Sequence, residues 1–286
     1  MTLQEQFIQV NGYKTHYFSN EGSGPTLLFL HGAGIDSGSL SWRPFLEILA
    51  EKNYRIIAPD LPGYGDSERP DIAFNTNFFI RFVGSLLDTL KLEKVTLIGL
   101  SMGGAISLGT ALSWPQRVER LVLVGSYGIQ RKVSAHFLSW LMVKTPGILE
   151  GTWILTRKSR KMAEWSMVNV FHNPKTMDPK LMDEICLEIG KPFPGRTFTR
   201  HQRDDMLWNG LRTNYLSQLE KIQIPTLLFH GRYDAGVPVA CAIEAHQLIK
   251  GSQLYISEDA GHWAQREKPE EFMQVLTQFL EQTGPR

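Results

Sequence analysis

The sequence predicts a mostly parallel, doubly wound α/β sheet with a helical insertion, and three observations predict it. Short apolar runs of strand length alternate with amphipathic stretches from Thr26 to Val124, and again from Pro225 to the last helix. That is the pattern of successive strand–helix–strand units. Between about Ile129 and Leu219 the alternation stops, the spacing turns helical, and Pro146, Pro174, Pro179, Pro192 and Pro194 punctuate it. Lastly, several strand runs end in Gly-rich loops, the places where open α/β sheets gather their chemistry.

Taken in order, Phe7–Val10 and Thr15–Phe18 flank Asn11-Gly12, a hairpin with a type I′ turn. Thr26–Leu30 is a buried strand running into His31-Gly32-Ala33-Gly34. Trp42–Glu51 has helical spacing, and Tyr54–Ala58 is a strand followed by the turn-rich Asp60-Leu-Pro-Gly-Tyr-Gly-Asp-Ser67. Thr76–Leu90 is an amphipathic helix, Val95–Ile98 a buried strand, Ala105–Leu112 a helix and Leu121–Val124 the next strand. After the insertion come a strand at Pro225–His230, a helix at Pro238–Lys250, a strand at Gln253–Ser257 and a helix at Pro269–Gln282. Core segments at 1–128 and 220–286 would therefore enclose a helical cap at 129–219. That cap holds six of the nine Met and four of the seven Trp, enough to build an apolar, adaptable lining.

Composition narrows the function classes. The chain has 286 residues, 42% hydrophobic and 21% charged, with formal net charge +1. Near-neutrality gives no reason to expect nucleic acid or an anionic membrane as partner. Cys186 and Cys241 are too few for a disulfide framework or a structural zinc site, which fits a reducing cytoplasm. The first residues lack the basic and apolar regions of a signal peptide. Phe137–Leu155 is broken by Lys144, Pro146, Gly147 and Gly151, so no membrane span is expected.

One stretch stands out chemically. Gly99-Leu100-Ser101-Met102-Gly103 sits between a buried strand and a helix. A Ser at such a corner adopts a sparsely populated backbone conformation at about 1–3 kcal/mol. The turn pushes its hydroxyl outward and leaves the Met102 amide at a helix N-terminus, ready for a developing negative charge. The plainer meaning of the pentapeptide is a tight turn with a capping Ser. A base and an orienting acid on other strand-end loops decide between the two. His262, in Asp259-Ala-Gly-His-Trp263 after the last strand, is the candidate base. Asp234, in Gly231-Arg-Tyr-Asp-Ala-Gly-Val-Pro238, is the candidate acid, although a turn-forming Asp would look the same. Gly125 and Ser126 occupy the rival acid position, and Asp60 and Asp66 belong to a turn that reads as structural.

The chain order Ser101, Asp234, His262 resembles the α/β-hydrolase superfamily, with the middle segment in the place of its variable cap. The motifs at 31–34, 60–67 and 261–263 are similar to signatures of the same family. The resemblance implies acyl transfer to water by a Ser101–His262–Asp234 triad, with the Ala33 and Met102 amides as oxyanion hole and no metal or organic cofactor. Ser at the nucleophile position separates the chain from the epoxide hydrolases and haloalkane dehalogenases of that superfamily. Expected substrate contacts are His31 and Gly32, the former chiefly shaping the loop, with Trp140, Trp165, Trp208 and Trp263. The insertion's Trp residues have a plainer reading as that segment's own core. A small to medium hydrophobic ester is the leading substrate class. Gly261-His-Trp-Ala-Gln265 and the Ser-Met-Gly-Gly tail of the elbow also resemble carbon–carbon bond hydrolases that cut ring-fission products, the runner-up. Those enzymes usually carry Asn before the nucleophile and a cap Arg for the substrate acid. Here Leu100 stands there, residues 171–188 contain no Arg, and Arg196, Arg200 and Arg203 come later. A non-catalytic binder of this fold is the third hypothesis.

Overall fold

The protein is described by a computed structural model covering residues 2–284. Its centre is an eight-stranded sheet of β1 (Gln4–Val10), β2 (Tyr13–Ser19), β3 (Thr26–Leu30), β4 (Arg55–Pro59), β5 (Val95–Leu100), β6 (Val118–Val124), β9 (Thr226–Gly231) and β10 (Gln253–Ser257). The spatial order is β1-β2-β4-β3-β5-β6-β9-β10. Pairing is antiparallel for β1–β2 and β2–β4 and parallel from β4 to β10. The hairpin turn has φ of 50° at Asn11 and 83° at Gly12, the two positive values a type I′ turn needs.

The central strands β3, β5 and β9 are buried on both faces and read as nearly continuous apolar runs, whereas the edge strands β1 and β10 alternate between covered and exposed positions. Leu28, Leu30, Leu97, Leu121, Leu123 and Leu228 point one way, against α2 (Thr76–Thr89), α3 (Met102–Ser113) and α9 (Val239–Leu248). Leu27, Phe29, Ile98, Val122 and Phe229 point the other, against α1 (Gly38–Ala50) and α11 (Pro269–Gln282). There Trp42, Phe45, Phe229 and Phe272 meet in edge-on and tilted contacts.

Between β6 and β9 lie α4 (His136–Lys144), α5 (Ile148–Lys158), α6 (Arg160–Ser166), α7 (Pro179–Gly190) and α8 (Arg196–Asp205). They are followed by a hairpin, β7 (Met206–Leu207) with β8 (Gly210–Leu211), too short for periodicity to reveal. Helix α1 starts four residues before its apolar spacing suggests, because the Ser37 side chain caps it by accepting from the Leu40 amide. A one-turn helix, α10 (Ala264–Glu267), follows the His262 loop and is also unmarked by periodicity. No described helix is long and apolar enough to cross a membrane.

Candidate active site

The corner between β5 and α3 is strained and tightly built. Ser101 has φ 51° and ψ −113°, values an L-residue rarely adopts. A Cβ at Gly99 would lie 2.3 Å from the Gly103 carbonyl oxygen, and one at Gly103 would lie 2.2 Å from that of Leu30. Both residues must therefore be Gly for the helix to start against the ends of β5 and β3. The backbone of Ser101 is tied down on both sides, its amide donating to Val124 and its carbonyl accepting from Tyr127, each at 2.9 Å. As the first residue of α3, Met102 has an amide without a helical acceptor.

The loop after β3 lies against this corner. A Cβ on Gly32 would be 3.5 Å from that of Ser101. The Gly32 peptide is gripped from two directions. His31 Nδ1 donates to the Gly32 carbonyl at 2.7 Å, while its Nε2 accepts from the Leu61 amide at 3.0 Å, which fixes the tautomer. Burial holds this imidazole below its ordinary value, so it stays neutral. From the other side, the Gly32 amide donates to Asp36 Oδ2 at 2.6 Å. Asp36 also accepts from the Ser37 amide and the Ser41 hydroxyl. Even with these donors, burial pushes its carboxyl up to about 7. Ala33, next in the chain, lines the cavity above Ser101.

Asp234 and His262 meet across their strand-end loops. Nδ1 of His262 lies 2.8 Å from Asp234 Oδ2, and the Gly236 and Val237 amides donate to Oδ1, each at 2.8 Å. Burial pushes the Asp234 carboxyl up, but the His262 charge and hydrogen bond, with His230 and the Val237 amide, outweigh it and bring it down. For His262 burial pulls downward, and Asp234 reverses the sign, raising the imidazole above 6.5. Ser101 and His262 line one cavity. Among the described residues the Ser101 hydroxyl makes no hydrogen bond. Such contacts often tighten only when substrate is present.

That cavity has a volume of about 540 Å³. Trp165 and Trp263 are in its wall, together with Trp153, Met167 and Phe198. Four expected contacts are not. His31 is fully buried with both ring nitrogens engaged, and Gly32 is buried and absent from the cavity wall. Trp140 stacks on Phe137 and packs on the core, and Trp208 sits at the exposed hairpin tip between β7 and β8. Polar members of the wall that motif spacing does not mark include Tyr127, Gln130, Asn169 and Gln202, with Thr152, Thr156 and Ser166. Among the described residues the wall contains His262 but no Lys, Arg, Asp or Glu. Arg196, Arg200 and Arg203 instead line a second cavity of about 750 Å³, and Trp153 is a wall of both.

Among the described residues one group of metal-type ligands lies close together, His16, Asp60 and Asp66. Asp60 there already accepts from the Gly38 and Asp66 amides and from His16, and so braces the turn, as expected from its sequence setting.

A family model described as alpha/beta hydrolase fold matches residues 25–146, and one described as TAP-like protein matches residues 206–284. A 2-hydroxy-6-oxo-2,4-heptadienoate hydrolase of Pseudomonas putida is 28% identical, over 96% of this chain and 95% of that one. A meta-cleavage product hydrolase from Pseudomonas fluorescens superposes with TM-score 0.82 at 24% identity, covering 98% of each chain. A serine hydrolase involved in carbazole degradation gives TM-score 0.80 at 26% identity, covering 98% of this chain and 99% of that one. Sheet order, strained corner and these likenesses agree, and the chain belongs to the α/β-hydrolase superfamily.

Proposed function

We propose that the chain is a serine hydrolase that cleaves an uncharged carboxylic ester through an acyl-enzyme on Ser101. The observation that carries this is a strained, outward-turned Ser sharing one cavity with an imidazole that a buried carboxylate orients. Ser101 attacks the acyl carbon while His262 Nε2 takes its proton, and Asp234 holds the other ring nitrogen and steadies the imidazolium. The Ala33 and Met102 amides receive the oxyanion. His262 then protonates the departing alkoxide, and a water activated by the same imidazole releases the acid. Residues 129–219 act as the cap that closes over the acyl group.

The cavity favours the ester. A substrate carboxylate would leave water for a wall with no lysine or arginine, which is costly. The relatives favour a second reading, cleavage of a carbon–carbon bond in a dienol or diketone acid. Curated proteins 28–29% identical over 91–96% of this chain are named as hydrolases of such compounds. The same nucleophile, base and oxyanion amides would serve, with Gln130, Asn169 and Gln202 left to hold the acid. Kinship weighs more toward this second reading than toward the ester; the ester stands first because the uncharged wall belongs to this chain itself.

Two measurements test these proposals. A fluorophosphonate probe labels Ser101 in either enzyme, and an unlabelled protein would be a binder. Turnover of p-nitrophenyl esters of graded chain length is then compared with that of a vinylogous 1,5-diketone acid. Efficient cleavage of the diketone with feeble ester turnover reverses the ranking.

A further inference from the structure

Net charge conceals how unevenly this chain distributes its charges. Residues 131–161 contain seven Lys and Arg and a single acidic residue, Glu150. The rest of the chain has twenty-three basic against twenty-eight acidic residues. Glu150 is held by Arg203, while Lys132, Lys144, Arg157, Lys158 and Lys161 form no ion pair among the described residues. The basic run Arg157–Lys161 looks in sequence like an ordinary solvated face, and near-neutral net charge by itself gives no reason to expect an anionic partner. The location of the charges is a separate observation.

The same segment is apolar where it meets solvent. Of the seventeen exposed large hydrophobic side chains among the described residues, twelve lie between residues 129 and 219. Phe137, Leu138, Leu141 and Met142 are exposed on α4, and Ile148, Ile154 and Leu155 on the adjoining α5. The only buried residue of α4 is Val143, and α5 has none. Scattered single apolar residues on a surface mean nothing, but seven on two adjoining helices mark an interaction site. Apolar residues flanked by Lys and Arg that no carboxylate neutralises are the composition of helices that lie in a bilayer interface. The other side of α5 provides Thr152, Trp153 and Thr156 to the wall of the Ser101 cavity.

We propose that the outer face of α4 and α5 docks on an anionic lipid bilayer. Leu141, Leu155 and their neighbours enter the acyl boundary, and Lys132, Lys158 and Lys161 meet the phosphate headgroups, while Lys144 and Arg157 donate to the Arg203 and Gly190 carbonyls and add only their charge. Charge selects the bilayer over a second copy of the chain, because a two-fold contact would set one basic face against another. Docked in this way, the helix that walls the cavity lies at the membrane surface, where sparingly soluble substrates accumulate. The docking surface is independent of the chemistry assigned to Ser101.

Flotation of the full chain with vesicles of phosphatidylcholine, with and without one-third phosphatidylglycerol, tests the proposal. Association with the anionic vesicles that weakens as salt rises is expected. Lys158→Gln and Lys161→Gln each weaken it about fivefold, from about 1 kcal/mol per cation at the surface. Leu141→Glu with Leu155→Glu abolishes it, while near-UV circular dichroism and the melting temperature stay as in the wild type. Equal recovery with neutral and anionic vesicles, or recovery with neither, overturns the proposal. So does a dimer in sedimentation that Leu141→Glu dissociates in a protein that ignores vesicles, since the face would then belong to a second copy.

Discussion

The strand ends and the helices between β6 and β9 are built on opposite principles. At the strand ends the backbone and the supporting side chains are pinned. Ser101 is tied through both its amide and its carbonyl, Gly32 is gripped by His31 and Asp36, and Asp234 by two amides and an imidazole. In α4 and α5 almost nothing is buried, and large apolar side chains face solvent. Rigid placement suits bond making, where a 1 Å error costs about 10²-fold. A loosely anchored helical layer suits the choice of what enters and from where. Substitutions in the first region should therefore act on kcat, and those in the second on KM and substrate preference.

Four substitutions can break or sharpen that division. Ser101→Ala has the largest expected effect, a loss of about 10⁶ in kcat by analogy with other triads; activity near wild type would refute the nucleophile assignment. Asp234→Asn should lose about 10⁴. Because Asp234 is what raises the His262 imidazole, the acidic limb of its pH–rate profile should also move to lower pH. A profile with its limb unmoved would mean another group sets it.

Asp36→Asn comes next, at about 10²-fold in kcat with KM little changed, as expected for a residue that positions the oxyanion loop through Gly32. A merely structural Asp36 would lower the melting temperature and leave kcat intact. Its carboxyl rises from 3.8 to about 7 on folding, so the native state binds the extra proton in that window. The wild type should lose stability relative to Asp36→Asn as pH climbs from about 4 to 7. Trp165→Ala should have the smallest effect, a few-fold change in kcat/KM that depends on acyl-chain length, because Trp165 only lines the cavity. A loss as deep as that of Asp36→Asn would erase the distinction between the two regions.

Much of the strand-end region is legible in the sequence because its causes are local or follow from topology. Apolar runs and a G-x-S-x-G pentapeptide announce β5, Ser101 and α3, and parallel order sends Asp234 and His262 to the same edge. Asp36 was not legible. Its role depends on Gly32, four residues back, folding over it, and a lone Asp before Ser37-Gly38 reads as a turn residue. The insertion was legible only as helical. Trp140 and Trp208 could be counted from the sequence, yet which Trp faces the cavity depends on how five short helices stack. Trp153 counts in the sequence only among the insertion's four Trp, although it forms a wall of both cavities.

The positive φ at Ser101 has a consequence for durability. Glycine there would relax the backbone and could gain up to about 1–3 kcal/mol of released strain, less the entropy of a freer unfolded chain. A Ser101→Gly protein should thus withstand heat at least as well as its parent while doing no chemistry. Sturdiness and reactivity pull in opposite directions at this single bond rotation, so random drift unchecked by selection would quietly favour an inert descendant.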